Sequence, residues 1–270
     1  MEEEFLIAAA GDISNTSLSG QKITANLLDD EPYDAILTLG DNQYNDGALS
    51  AYNSYFDKTW GKHRKKLRPT PGNHEYNTPG AKGYYSYFGS LAGDPKKGYY
   101  SFDVGPWHLI ALNSNSSCGA VPCKAGSAQE KWLRQDLAAH AKATCTLAYW
   151  HHPRFSSGEH GNNSDVADLW KALHEHGVDV VLNGHDHDYE RFAPQTPAGK
   201  ADAKKGIVQI VIGTGGTGFR PFKGKKDNSV ARQAKSFGLL KMVLRPAGYD
   251  FEFVGEPGST FVDKGSGKCH

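Results

Sequence analysis

The run Val178-Asp-Val-Val-Leu-Asn-Gly-His-Asp-His187 decides how this chain is read. Its first half is apolar and β-branched, with the length of one buried strand. Its second half turns abruptly into asparagine, glycine, aspartate and histidine. The same change recurs along the chain. Residues 5–10 run into Gly11-Asp12, and residues 35–39 into Gly40-Asp41. The short, proline-broken run 67–71 leads to Gly72-Asn73-His74-Glu75. Residues 144–150 lead to His151-His152-Pro153, and residues 207–212 to Gly213-Thr-Gly-Gly216.

Helical patterns lie between these runs. Residues 129–141 set Trp132, Leu133, Leu137 and Ala141 on one face, with Ser127 placed to cap the start. Residues 165–176 do the same with Val166, Leu169, Trp170 and Leu173, and Gly177 is a suitable stop. A third, less regular pattern covers 16–28. Two hairpins interrupt the alternation, 98–104 with 107–112 and 237–244 with 249–254. The expected fold class is α/β, with two mixed β-sheets packed as a sandwich and flanked by helices, in one domain spanning 1–270. Loops 44–58, 77–97 and 113–126 are long enough to serve function or to act as a lid.

The chain has 270 residues, with Lys plus Arg equal to Asp plus Glu, so its formal charge is zero. That balance argues against a nucleic-acid scaffold. No apolar run approaches a membrane span, which argues against insertion. Four cysteines allow three pairings. A zinc site would need a further pair or spaced histidines near Cys118 and Cys123, and the sequence has none there. The expected pairs are Cys118 with Cys123, as a short loop, and Cys145 with Cys269, pinning the C-terminus to a strand. Two disulfides imply an oxidising compartment, and the alternative is a cytosolic protein with four thiols. The opening Met1-Glu-Glu-Glu has no basic or apolar leader character. The expectation is a secreted or periplasmic protein in mature form, its signal peptide already removed.

In open α/β sheets ligands gather beyond the carboxyl ends of the strands. Here those ends carry Asp12, Asp41, Asn73, His74, His151, His185 and His187. Carboxylate, amide and imidazole donors together suit two hard or borderline metals such as Fe, Mn or Zn. A pair of such ions ~3.5–4 Å apart clamps a phosphate and acidifies a water.

In their order, Asp12, Gly40-Asp41, Gly72-Asn73-His74-Glu75, His151 and Gly184-His185-Asp186-His187 resemble the motif blocks of the calcineurin-like metallophosphoesterase superfamily. The commonest pattern there has a metal-binding histidine two residues after the first aspartate, where this chain has Ser14. Tyr44, three residues after Asp41, is instead the mark of the purple acid phosphatases, in which a phenolate replaces that histidine. His185-Asp-His-Asp-Tyr-Glu-Arg191 and the Gly-Thr-Gly-Gly loop are further similar pieces. The chain looks like the short, secreted bacterial type, without the N-terminal β-domain of the plant enzymes. It departs from the family in having Ser14 where glycine is usual.

The resemblance implies that Asp12, Asp41, Tyr44 and His187 hold Fe(III), which a hard, anionic phenolate favours. It implies that Asp41, Asn73, His151 and His185 hold a divalent Zn, Fe or Mn. His74 would face the phosphate and His160 would lie in a loop near the substrate, both as catalytic groups. A metal-bound hydroxide would attack a small phosphate monoester in line. Competing functions on the same fold are a phosphodiesterase for nucleotides or phospholipid head groups, and a non-catalytic metal- or phosphate-binding protein.

Other residues carry blander expectations. His152 is read as packing behind the site, Asp186 and Asp188 as turn caps rather than as acceptors that orient the ligand histidines, and Tyr189 with Arg191 as loop anchors. Tyr84, Tyr85, Tyr87 and Phe88 form either an aromatic wall beside the site or ordinary loop packing. The lysine-rich stretches 63–68 and 223–226 are read as solvated faces. His63, His108, His140, His174, His176 and His270 are read as structural or surface residues.

Overall fold

The computed structural model describes residues 3–115 and 118–270. Along the chain the strands are β1 (Phe5–Ala10), β2 (Ala35–Leu39), β3 (Leu67–Thr70), β4 (Tyr100–Val104), β5 (Trp107–Ala111), β6 (Cys145–Tyr149), β7 (Val180–Asn183), β8 (Tyr189–Gln195), β9 (Ile207–Ile212), β10 (Ser229–Gln233), β11 (Gly238–Arg245), β12 (Gly248–Gly255) and β13 (Lys264–Lys268). The helices are α1 (Ser19–Asp29), the short α2 (Leu49–Ala51), α3 (Lys82–Phe88), α4 (Ala128–Ala139) and α5 (Ala167–Glu175). Among the described residues the strands make two mixed sheets. One has the order β13-β12-β11-β1-β2-β3 and the other β10-β8-β9-β7-β6-β5-β4. The parallel strands β1–β2–β3 form one end of the first sheet, with β3 at its edge, and the parallel strands β5–β6–β7–β9 form the middle of the second.

Strand periodicity divides the core. In β5, β6 and β7, Leu109, Ala111, Leu147, Tyr149, Val180 and Leu182 join a cluster with Ile7, Ala9, Leu240 and Met242 of the facing sheet. The alternate residues Ile110, Ala148 and Val181 turn the other way, onto Leu133, Leu137, Leu169, Trp170 and Leu173 of α4 and α5. Each leucine, isoleucine, valine or methionine so buried stabilises the fold by ~1.5–3 kcal/mol. Ser127 caps α4 as expected, its Oγ accepting the Glu130 N–H at 3.2 Å. Gly177 takes the left-handed conformation, φ +70°, just past α5. Both disulfides match the expected pairs, Cys118–Cys123 and Cys145–Cys269. No helix is long and apolar enough to cross a membrane.

Three strands were not visible in the sequence. β8 contains Pro194 and shifts register between Phe192 and Gln195, so its alternation is broken. The edge strands β10 and β13 carry charge and glycine, which protects an edge and also hides it. The aromatic alternatives resolve as packing: Tyr84, Tyr85, Tyr87 and Phe88 of α3 are buried with Tyr52 and Phe56. Tyr87 stacks on Tyr52 with ring centroids 4.8 Å apart.

Candidate metal centre

The strands that carry the polar bursts all end at one edge of the sandwich. Gly11-Asp12 follows β1, Gly40-Asp41 follows β2 and Gly72-Asn73-His74 follows β3. From the other sheet His151 follows β6 and Gly184-His185 follows β7. Hydrogen bonds stitch the sheets together here. The Gly11 N–H donates to the Ile212 carbonyl at 2.8 Å. The His185 N–H donates to Asp12 Oδ2 at 2.7 Å.

The backbone is strained at the residues that matter. Asp12, Asp41 and His185 have φ of +60°, +48° and +73°. Left-handed backbone at such residues costs about 1 kcal/mol or more each, and clusters where the surroundings enforce it. Two glycines permit the convergence. A Cβ on Gly40, at φ +84°, would lie 2.6 Å from His151 Nδ1, and one on Gly72 would collide with the Asp41 carboxylate.

Asp41 is the centre. Its Oδ2 lies 3.1 Å from the Tyr44 hydroxyl and 3.2 Å from His151 Nε2. On the tyrosine side, the hydroxyl is 2.7 Å from Asp12 Oδ1 and 3.1 Å from His187 Nε2. On the histidine side, His151 Nε2 is 3.1 Å from Asn73 Oδ1 and 3.2 Å from His185 Nδ1. His151 and His187 each donate Nδ1–H to a backbone carbonyl, that of Leu39 at 2.8 Å and that of Gly218 at 2.7 Å. Each therefore turns Nε2 inward, the arrangement that orients ligating histidines.

This cluster is short of protons. The single Tyr44 proton is shared among Asp12, Asp41 and His187. With neutral imidazole, His151 Nε2, Asn73 Oδ1 and Asp41 Oδ2 oppose lone pair to lone pair. A cation on each side of Asp41 satisfies every one of these atoms. The oxygen and nitrogen donor set suits hard to borderline metals, so the residues fit a pair of metal ions. Ligating atoms of Asp12, Asp41 and His151 lie within 4.8 Å of one another, as do those of His151, His152 and His185.

The electrostatics agree. Burial and the Asp12 and Asp41 carboxylates push the Tyr44 phenol well above its usual value, so ionising it requires a nearby cation. Burial would raise Asp41, but His151 and His74 hold it well below the carboxylate range. Burial would lower His151, but Asp41 raises it to about 9, so without a cation a proton on Nε2 takes the place between His151 and Asp41 that a metal ion would fill. Burial and the neighbouring His152 and His151 drive His185 well down, into the neutral form that ligates.

Four residues frame the cluster. The Glu75 carboxylate, fully buried, accepts the N–H groups of Gly72 at 2.7 Å, Asp41 at 2.9 Å, Asn42 at 2.9 Å and Gln43 at 3.2 Å. It also accepts the Tyr52 hydroxyl at 3.0 Å. Burial and the Asp41 charge push Glu75 up to about 7 against those donors; a cation on Asp41 removes that repulsion. His74 lies against the Tyr44 ring, centroids 4.3 Å apart, and donates Nδ1–H to the Asn45 carbonyl at 2.6 Å. Its Nε2 is left facing the cluster, 3.8 Å from Asp41 Oδ2. His152 packs behind His185, with Nδ1 2.8 Å from Ser114 Oγ. His160 stacks on the His185 ring at 4.1 Å.

Seven of the sequence-derived positions (Asp12, Asp41, Tyr44, Asn73, His151, His185 and His187) thus converge, with His74 and His160 at the rim. Ser14 is turned away, its Oγ accepting from Gln21 Nε2 at 2.8 Å. Tyr189 and Arg191 anchor as expected, both binding the Asp263 carboxylate. Asp186 corrects its expectation as a turn cap. It is buried and accepts from the His160 N–H at 3.0 Å and His160 Nδ1 at 2.8 Å, so it fixes the His160 loop. Sequence reasoning missed this and the Glu75 nest. The only signals were a carboxylate after each of His74 and His185.

The calcineurin-like phosphoesterase family model matches residues 5–189. Purple acid phosphatase 18 of Arabidopsis thaliana is 30% identical over 87% of this chain and 56% of its own length. Purple acid phosphatase 15 of the same plant is 27% identical over 78% of this chain and 44% of its own length. The chain spans about half the length of these curated relatives. Among solved structures, a purple acid phosphatase from yellow lupin superposes with a TM-score of 0.81 at 17% identity, covering 98% of this chain and 54% of that one. GAP50, described as the anchor in the inner membrane complex of Plasmodium, superposes with a TM-score of 0.77 at 16% identity, covering 99% of this chain and 89% of that one. At those identities the structural likeness speaks to fold.

Proposed function

The chain belongs to the calcineurin-like phosphoesterase family, and we propose that it is a metal-dependent phosphatase of purple acid phosphatase type that hydrolyses small phosphate monoesters. The observation that carries this reading is Asp41 Oδ2 standing between two sets of lone-pair atoms, 3.1 Å from the Tyr44 hydroxyl and 3.2 Å from His151 Nε2. Asp12, Asp41, Tyr44 and His187 would hold Fe(III). Asp41, Asn73, His151 and His185 would hold a divalent Zn, Fe or Mn, with Asp41 shared. When bound, the two ions supply charge neutralisation for the phosphate and make a water acidic enough to act as nucleophile.

The chain's own residues do the rest. The strained loops and the Glu75 nest hold the ligands in place before substrate arrives, so little reorganisation is left for the reaction. His74, with Nδ1–H fixed on Asn45, presents Nε2 as the acid. As the bond from water oxygen to phosphorus forms and that water gives up a proton to solvent, the phosphorus–oxygen bond to the leaving group breaks. Its oxygen takes the Nε2 proton of His74, which acts as the imidazolium with Nδ1–H kept on Asn45 and regains a proton from solvent after turnover. His160, held by Asp186, borders the substrate on the His185 side. The two disulfides support secretion into an oxidising compartment, and the catalytic unit is the single domain 1–270.

The test is kinetic and analytical. Purified protein supplied with iron and zinc is assayed on nitrophenyl phosphate and on its bis-ester, with metal content measured in parallel. A higher kcat/KM for the monoester and two ions per chain are expected. Preference for the bis-ester, or one ion at full activity, refutes the reading.

A further inference from the structure

We propose that the recess walled by Lys223, Lys225, Lys226 and His160 is an anion subsite of the same active site, one that receives a second phosphate of multiply phosphorylated small-molecule substrates. This rests on the phosphoesterase reading above. The recess is a cavity of about 460 Å³ lined by residues 157–161 and 223–226. It adjoins the metal centre through His160, which lines the recess and stacks on His185 at 4.1 Å.

Both walls are built. The Ser157 N–H donates to Glu190 Oε2 at 2.7 Å, and the Gly158 N–H to Ser156 Oγ at 2.9 Å. Asp186 holds His160 through both its backbone and its ring. The lysine loop is tied to the same segment. The Lys223 N–H donates to the Ser157 carbonyl at 3.0 Å, and the Lys226 N–H to Ser157 Oγ at 2.8 Å. Its start is fixed on the metal centre, where the Arg220 N–H donates to the His187 carbonyl at 3.2 Å.

The positive charge in this recess is only partly offset, Lys223 lying near enough to Glu159 to help Arg220 hold its carboxyl low. Glu159, the one acid in the lining, is taken by Arg220 Nη1 at 2.8 Å. Among the described residues none of the three lysines forms an ion pair, although the chain as a whole is neutral. Three ammonium groups in a concavity focus positive potential on whatever enters it. Lysine is a point-charge binder of phosphate on a flexible stem, so it tolerates varied spacing between two phosphates. A simple monoester engages the metal centre and leaves the recess empty; a bisphosphate fills both. The stretch 223–226 is exposed, as the sequence led us to expect of a solvated face, and on this proposal it also walls the site.

The experiment compares a hexose bisphosphate with the corresponding hexose monophosphate, using the metal-loaded wild type and the triple variant K223Q/K225Q/K226Q. The expected wild-type preference for the bisphosphate in kcat/KM is roughly 10-fold, from three exposed charge contacts. In the variant this preference collapses through KM, with kcat and the monophosphate kinetics unchanged. Added salt erodes it in the wild type alone. Binding of inorganic tripolyphosphate to both purified proteins is measured independently, and the variant is expected to bind roughly 10-fold more weakly. Equal losses on both substrates, or a preference and binding that survive the triple change, overturn the proposal. Lysine-dependent tripolyphosphate binding without hydrolysis of either ester would sink the phosphatase reading and leave the subsite standing. Hydrolysis of both esters with lysine-independent binding would do the reverse.

Discussion

Replacing Glu75 with glutamine tests whether the ligand loops are held from beneath. The change is nearly isosteric, so packing is kept. What it alters is the polarity of one side-chain oxygen. Glu75 Oε2 accepts the N–H groups of Asp41 and Gly72, while Oε1 accepts those of Asn42 and Gln43 and the Tyr52 hydroxyl. All five partners donate. Whichever way the glutamine amide is turned, its NH2 faces at least two buried N–H groups. Each buried donor left unpaired costs ~1–3 kcal/mol, so Glu75→Gln should destabilise by about 3–5 kcal/mol. For a chain of this size that corresponds to a fall in Tm of about 10 °C. Tyr52→Phe removes one hydrogen bond to the same carboxylate and leaves no donor stranded, so it should cost only ~1.5–3 kcal/mol. Calorimetry of the three proteins at neutral pH, with metal analysis alongside, gives the comparison. Because Asp41 is moved, Glu75→Gln should also lose metal. A variant that melts within about 1 kcal/mol of wild type and keeps its metal would refute the bracing role.

The remaining predictions concern single side chains. His74→Ala should lower kcat by roughly 10²–10⁴-fold while metal content stays intact, since His74 donates to Asn45 and faces the cluster without completing it. Loss of metal in that variant would make His74 a ligand. If Tyr44 holds Fe(III) as proposed, the oxidised protein should absorb in the visible and Tyr44→Phe should remove that band; an unchanged spectrum would rule out the iron assignment. His108, buried between Asp136 at 2.8 Å and Asp103 at 2.7 Å, is a separate source of pH dependence. Burial lowers it, but hydrogen bonds to Asp136 and Asp103 raise it above the usual histidine range. Its contribution is therefore full below about pH 6.5 and is lost as pH rises through the folded value. Asp136 is held low by His108 despite burial, so its contribution is lost only at acid pH. The Tm gap between wild type and His108→Gln should narrow on going from pH 6 to pH 9, and a gap that widens would contradict the pairing.

What the sequence made legible follows from where the information lies. Each candidate except Tyr44 stands just beyond a strand whose apolar run is local, and the glycines before Asp12, Asp41, Asn73 and His185 are local too. Periodicity and turn chemistry therefore mark Asp12, Asp41, Asn73, His74, His151, His185 and His187 as candidates, while Tyr44 and the division of ligands from His74 rest on the family resemblance. The supporting layer is not local. Glu75 matters because the backbone of residues 41–43 bends around it, and Asp186 matters because a loop some 26 positions away returns to it. The only local mark on either one is its place directly after His74 or His185, which does not say what it holds. β8, β10 and β13 were hidden for a related reason: their pattern is set by the register they adopt beside other strands, not by alternation of their own.

The exchange of a histidine for Tyr44 shows how such a distant dependence can still be read. Position 14 and position 44 are joined in the structure, the Tyr44 N–H donating to the Ser14 carbonyl at 2.7 Å. Ser14 is buried, and its hydroxyl is committed to Gln21 at 2.8 Å. A larger residue at position 14 would have to displace Gln21, whose Oε1 also accepts the Asn15 N–H at 3.0 Å and whose Nε2 donates to the Asn15 carbonyl at 3.0 Å. The phenol instead enters from the neighbouring strand end and reaches Asp12, Asp41 and His187 within 3.1 Å. A small residue at 14 and a tyrosine at 44 are thus one structural choice. Either alone would leave the Asp12–His187 half of the centre short of a donor or overfilled, which is why the pair carries more weight than two separate matches.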